Sequence, residues 1–117
     1  MFDDSKFIVL NKSHSMVLKI YEMTMTFPKS ETFGLISQIR RSAVSVPSNI
    51  AEGKARGSAK EFIRFLYIAR GSLEEVKYQV LLSKDLNYIS SEDYKEIDGL
   101  IHTVGRLLNG LINKLSI

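Results

Sequence analysis

The sequence predicts an all-α protein: an antiparallel up-and-down four-helix bundle, kinked near Pro47. Three observations lead there. Apolar residues recur at steps of three and four in four separate stretches, the spacing that gathers them on one face of an α-helix. Residues that stop and start helices fall between the stretches, and the connections they mark are short, which makes sequential helices antiparallel. No alternation with period two runs long enough for a strand.

In the first stretch Met16, Ile20, Met23 and Phe27 step by 4, 3, 4, predicting a helix over about 12–27 behind a poorly anchored, flexible tail at 1–11. Phe27-Pro28-Lys29-Ser30 ends it, because proline disfavours helical geometry in the residue before it and suits the first turn of the next helix. Ile36, Ile39, Ala43, Val46 and Ile50 continue the pattern through a second helix over about 30–53. Pro47 lies inside it, where a missing N–H and a crowded turn cost ~3 kcal/mol in a straight helix, so a kink or break is expected near Val46.

Gly53 to Gly57 forms the next connection. Ser58 and Glu61 have capping-box spacing, the serine satisfying an orphan amide and the glutamate reaching back. The third helix, about 58–86, carries Phe62, Leu66, Ala69, Leu73, Val76 and Val80. Asn87 to Ser91 breaks the chain again, with Ser90 and Asp93 as a weaker cap. The fourth helix, about 91–115, carries Ile97, Ile101, Val104, Leu108, Leu111 and Leu115. Its three glycines, Gly99, Gly105 and Gly110, are each unfavourable by ~1 kcal/mol relative to alanine, so packing must hold it.

Composition excludes several classes of protein. At 117 residues and 13.3 kDa the chain is one domain (12–117 after the tail) that can build its own core. With no cysteine there is no disulfide scaffold, thiol nucleophile or Cys-based zinc site. Apolar residues at 44% and charged residues at 25% match soluble globular proteins. No apolar run is long enough to span a membrane, and the acidic start Met1-Phe2-Asp3-Asp4 is unlike a secretory signal. A cytoplasmic, non-membrane protein is expected.

Charge is uneven along the chain. The net charge is only +3, yet between Arg40 and Arg70 seven bases, Arg40, Arg41, Lys54, Arg56, Lys60, Arg64 and Arg70, face just Glu52 and Glu61. A basic middle in a slightly acidic frame points to an anionic partner. Helical rotation puts Arg41 nearly opposite the core stripe of its helix and Arg40 at the flank, with Lys60 and Arg64 together on the outer side of the third helix. Such groups hold a phosphate backbone without reading bases, making these seven residues the candidate RNA- or DNA-binding set. The competing reading has Arg40 and Arg70 paired with Glu52, Glu74 or Glu31 in this subunit or the next, and Asn49 and Glu52 satisfying backbone around Pro47.

The outer side of the third helix also carries Tyr67, Ile68, Gly71 and Tyr78. A solvated face would be more uniformly polar, and a mid-helix glycine lets another backbone approach. These four are the candidate subunit interface. The alternative is that Tyr67 and Ile68 flank a broad core stripe and Gly71 is a tolerated cost.

Catalytic chemistry is not found. His14 and His102 belong to no metal motif, no Gly-x-Ser-x-Gly elbow is present, and Gly53-x-x-x-Gly57 lacks the Lys-Ser/Thr of a phosphate loop. Glu74-Glu75 and Glu92-Asp93 are sequence neighbours that diverge on a helix. No enzyme activity, metal or cofactor is expected.

One stretch is distinctive: Gln38-Ile39-Arg40-Arg41-Ser42-Ala43, then Pro47-Ser48-Asn49-Ile50-Ala51-Glu52-Gly53, followed by Arg56, Glu61-Phe62, Phe65-Leu66 and Ala69 to Glu75. It resembles the bacterial four-helix-bundle family encoded within intervening sequences of 23S rRNA genes, whose relatives include the accessory variability determinant of diversity-generating retroelements. The resemblance spans nearly the whole chain. It implies a bundle that assembles into a ring, usually a homopentamer, with a basic surface, associated with nucleic acid and, in the retroelement relatives, with a reverse transcriptase. It implies no enzymatic activity.

Overall fold

The computed structural model describes residues 5–117. The four apolar stretches become four helices: α1 (Ser5–Thr24), α2 (Leu35–Ala55), α3 (Ala59–Asp85) and α4 (Ser91–Leu115), with a 3-10 turn over Lys29–Glu31. The described residues contain no strand. α1 and α3 each pack on α2 and α4, and the diagonal pairs stay apart, giving a square bundle of 44 × 25 × 23 Å. Ser45 meets Ser72 at 2.8 Å while Gly53 abuts Phe65, so α2 and α3 run in opposite directions. Arg70 with Asn109 and Leu73 with Gly105 give the same sense for α3 and α4.

The core is built from the periodic residues. All the stripe residues are buried except Ile36 and Leu115, which are half-buried, and Val9, Val17, Phe65 and Ile112 extend the interior. α4 keeps its shape despite three glycines because Ile97, Ile101, Val104, Leu108 and Leu111 are all buried.

The helix ends follow local chemistry. Ser58 Oγ accepts from the Glu61 amide at 3.2 Å and Ser90 Oγ from the Asp93 amide at 3.1 Å, so both serine caps form. The reciprocal half of the expected box does not, since the Glu61 carboxylate accepts from Arg64 instead. Asn87, at φ 63°, closes α3 with Tyr88 N–H bonded to Ser83 C=O and Asn87 N–H to Lys84 C=O, the pattern of a Schellman turn.

Three boundaries differ from the sequence expectation. α1 starts at Ser5, so residues 5–11 of the expected tail are helical, while residues 1–4 lie outside the described residues. Ser13 hides this extension: it sits between Val9 and Met16 in the stripe, fully buried, its hydroxyl donating to Leu10 C=O at 2.9 Å. α1 ends at Thr24 rather than Phe27, the Thr24 hydroxyl bonding back to Ile20 C=O at 2.8 Å. α2 then begins at Leu35 rather than residue 30, because the 3-10 turn and Gly34 intervene and the Glu31 carboxylate accepts from the Leu35 amide at 3.2 Å.

α2 continues through Pro47, so the break allowed for near Val46 does not occur. Proline removes one N–H from the ladder, but Ala43, Val46 and Ile50 are wholly buried around it. Two residues past the proline, Asn49 Nδ2 donates to Ser45 C=O at 2.8 Å, the backbone role its alternative reading gave it, whereas Glu52 pairs with Arg56 instead.

Lys19 clamps α1 to α4. Its nearly buried side chain reaches Glu96 at 2.8 Å, Asp93 at 2.9 Å and Glu22 at 3.3 Å. The hydrogen bonds it donates to Glu96 and then Asp93 raise the ammonium pKa above its usual range, against the opposing effect of desolvation.

The tightest approach is between α2 and α3. A Cβ on Gly53 would lie 2.5 Å from Phe65 Cβ and 3.1 Å from a Phe62 ring carbon, so no side chain fits without moving a helix. At Gly110 a Cβ would meet nothing within 4 Å. Gly53→Ala is therefore expected to destabilise the fold by roughly 1–3 kcal/mol in urea unfolding through overpacking, despite alanine's better helix propensity. Gly110→Ala should stabilise it by up to ~1 kcal/mol. Equal effects at the two positions would contradict the close contact.

Candidate nucleic-acid interface

The seven candidate cations do not form one patch. Antiparallel packing of α2 on α3 brings Lys54, Arg56, Lys60 and Arg64 together around the α2–α3 elbow, where Gly57 takes φ 84°. Arg40 and Arg41 lie thirteen or more positions back along α2, roughly 20 Å away at 1.5 Å per residue. Arg70 turns toward α4.

At the elbow, aromatic rings hold the cations. Phe65, buried between the helices, has the Arg56 guanidinium 4.9 Å and the Arg64 guanidinium 4.6 Å from its ring centre. Both also pair with carboxylates, Arg56 with Glu52 at 2.8 Å and Arg64 with Glu61 at 3.1 Å. The Arg64 hydrogen bond holds the Glu61 carboxyl below the usual carboxylate range. Lys54 sits 4.4 Å from the centre of the Phe7 ring, and Lys60 is exposed; neither has a carboxylate partner among the described residues. Lys6 and Lys54 share the rim of a shallow pocket of about 260 Å³ with Gly57, Ser58 and Phe62. The arrangement offers preset guanidinium planes and two unneutralised ammonium groups, which suits phosphate oxygens.

The other three cations have different surroundings. Arg40 Nε donates to Thr24 Oγ1 at 2.8 Å and its guanidinium stacks on Tyr21 at 4.5 Å. Arg70 donates to Asn109 Oδ1 at 3.0 Å and stacks on Tyr67 at 4.7 Å. Neither pairs with Glu52, Glu74 or Glu31 in this chain: Glu52 takes Arg56, and Glu31 accepts from the Tyr88 hydroxyl at 2.9 Å. Arg41 is exposed on the ridge between two surface hollows and has no hydrogen bond or ion pair among the described residues.

The candidate subunit face lies open on α3. Tyr67, Ile68 and Tyr78 are exposed, and a Cβ on Gly71 would meet nothing within 4 Å, so this chain alone gives the glycine no packing role. A second apolar surface escapes the stripe pattern. Phe33, 97% exposed at the entrance to α2, joins Tyr21, Ile36 and Val44 along a hollow of about 630 Å³. The signal was a phenylalanine outside every stripe, directly before Gly34. His14 is exposed, and His102 Nδ1 lies 2.8 Å from Asp98 C=O. Among the described residues no group of three or more metal-ligating side chains occurs, and no helix is long and apolar enough to cross a membrane.

Comparison with known proteins agrees with this architecture. A crystal structure of a protein of unknown function from the S23 ribosomal protein family of Bacteroides thetaiotaomicron superposes with a TM-score of 0.85 at 27% identity, over 94% of this chain and 99% of that one. No curated protein matches the sequence. The model of the 23S rRNA-intervening sequence protein family matches residues 5–110. A match of that extent, on a four-helix chain carrying its distinctive text along α2 and α3, establishes that the protein belongs to the 23S rRNA-intervening sequence protein family.

Proposed function

We propose that this protein is a non-catalytic, oligomeric nucleic-acid-associated protein of the bacterial cytoplasm, and that it holds RNA or DNA backbones at the α2–α3 elbow. The observation that carries the reading is the local charge. Among the described residues, Lys54, Arg56, Lys60 and Arg64 converge on one end of the bundle with Glu52 and Glu61 as the carboxylates paired there, and the two lysines are left without carboxylate partners. Arg40, Arg41 and Arg70 lie outside this cluster and extend the basic surface at a distance. Contacts of this kind are electrostatic and weakly sequence-selective.

Fluorescence anisotropy with a labelled single-stranded RNA tests it. With about four phosphate contacts, affinity should fall roughly 50-fold between 50 and 200 mM salt. Replacing Lys54 and Lys60 by glutamate should weaken binding and reduce that salt slope by about 1.4. Absence of binding at 50 mM salt would refute the reading.

A specific observation also favours assembly. Tyr67 and Ile68 beside the side-chain-free Gly71, with Tyr78 beyond the exposed Glu74 and Glu75, leave apolar surface on α3 that suits contact with a second copy, and the family resemblance implies a pentameric ring. In the alternative function this surface and the basic residues serve subunit contacts or a protein partner such as a reverse transcriptase, rather than nucleic acid. Light scattering should give a multiple of the 13.3 kDa chain mass. Ile68→Glu with Tyr78→Glu should return it to a single chain mass, and an unchanged mass would show that the subunits meet elsewhere.

A further inference from the structure

The seam between α2 and α3 is apolar inside but polar along its outer edge. On α2, Gln38, Ser42, Ser45 and Asn49 step by 4, 3, 4, and on α3, Ser72, Glu75 and Gln79 step by 3, 4. Positions that flank a core stripe are more often apolar and fill the space between helices. Here short serines leave a polar cleft of about 490 Å³, with Gln38, Arg41 and Ser42 on the α2 wall and Ser72, Glu75 and Gln79 on the α3 wall.

Two features distinguish this cleft from a solvated groove. Arg41 and Glu75 stand on opposite walls without pairing, and neither has another ion-pair or hydrogen-bond partner among the described residues. Gln79, on the α3 wall, is nearly buried, and among the described residues its Oε1 has no hydrogen-bond partner. A buried amide oxygen left unbonded costs free energy, and such groups in folded proteins usually meet a water, ion or ligand. The Ser45–Ser72 contact fixes the spacing of the walls.

We propose that this cleft takes a guanine base, and that in a bound strand it receives an unpaired guanine; this rests on the nucleic-acid reading above. A guanidinium donates in parallel to guanine O6 and N7. A carboxylate on the opposite wall accepts from N1–H and the N2 amino group on the Watson–Crick edge, which unpaired bases present to proteins. Guanine is the base that offers acceptors to one wall and paired donors to the other. Adenine lacks the O6 acceptor and the N1–H donor.

The test uses the full chain and labelled 12-nucleotide strands of uridine, with a single central guanine or adenine or neither. The guanine strand should bind about tenfold tighter than the other two, as expected for one bidentate base contact. Glu75→Gln, at an exposed position where folding is not at stake, should bring the ratio below about threefold, and Gln79→Leu should lower it as well. Guanosine monophosphate, followed by amide NMR shifts at Ser42, Ser72 and Gln79 with uridine monophosphate as the control, separates the two sources of the base. A response to the nucleotide with no preference among strands supports the cleft with free nucleotide as its ligand. Equal affinity for every strand and no response to the nucleotide overturns the cleft while leaving backbone binding standing. If no strand binds even at low salt, the nucleic-acid reading falls, and the nucleotide titration alone decides the cleft.

Discussion

The close approach of α2 to α3 at Gly53 governs the basic end of the molecule. Because position 53 has no side chain, the last turns of α2 lie directly on the first turns of α3, with Phe65 and Phe62 filling the contact. Phe65 is thereby buried between the helices with ring surface left for two guanidinium groups. The same contact brings Lys54 and Lys60, on opposite sides of a three-residue connection, to one end of the bundle. Any bulk at position 53 would separate the helices and scatter the cations. The basic elbow is thus a consequence of packing as well as of composition.

The architecture was legible because period and punctuation agree. Stripes of Ile, Val, Leu and Phe at steps of three and four specify one face of a helix whatever surrounds them, and Ser58 and Ser90 mark starts through local hydrogen bonds that need no tertiary context. The boundaries depart from the apolar pattern where a polar residue sits in a buried position. Ser13 and Thr24 satisfy themselves on their own helix, so they read as interruptions or pass unnoticed. The delayed start of α2 depends on Glu31, which bonds both the Leu35 amide and Tyr88, 57 residues along the chain, a long-range arrangement invisible to a local window.

The candidate site was legible only as a count. Seven bases against two acids can be read along a line, but the line does not show that Arg40 stacks on Tyr21, that Arg70 turns to Asn109, or that four of the seven converge. Cation–aromatic stacking sets where the Arg40, Arg56, Arg64 and Arg70 guanidinium groups rest, and it depends on which ring the fold brings near. Phe33 shows the same limit from the apolar side: one exposed aromatic acquires meaning once Tyr21, Ile36 and Val44 are seen around it. The polar seam is present in the sequence as heptad-spaced serines and glutamines, a pattern that apolar periodicity does not reveal.

The surfaces sort by chemistry: a cationic elbow at one end, apolar surface outside α3, and a polar cleft along the outer seam between α2 and α3. Lysine acetylation footprinting with and without single-stranded RNA tests the central claim most directly. Lys54 and Lys60 are predicted to be shielded by the nucleic acid, while Lys84 and Lys95, roughly 35 Å away at the far end of the bundle, keep their reactivity. Equal shielding at both ends, or shielding confined to Lys84 and Lys95, would contradict the account.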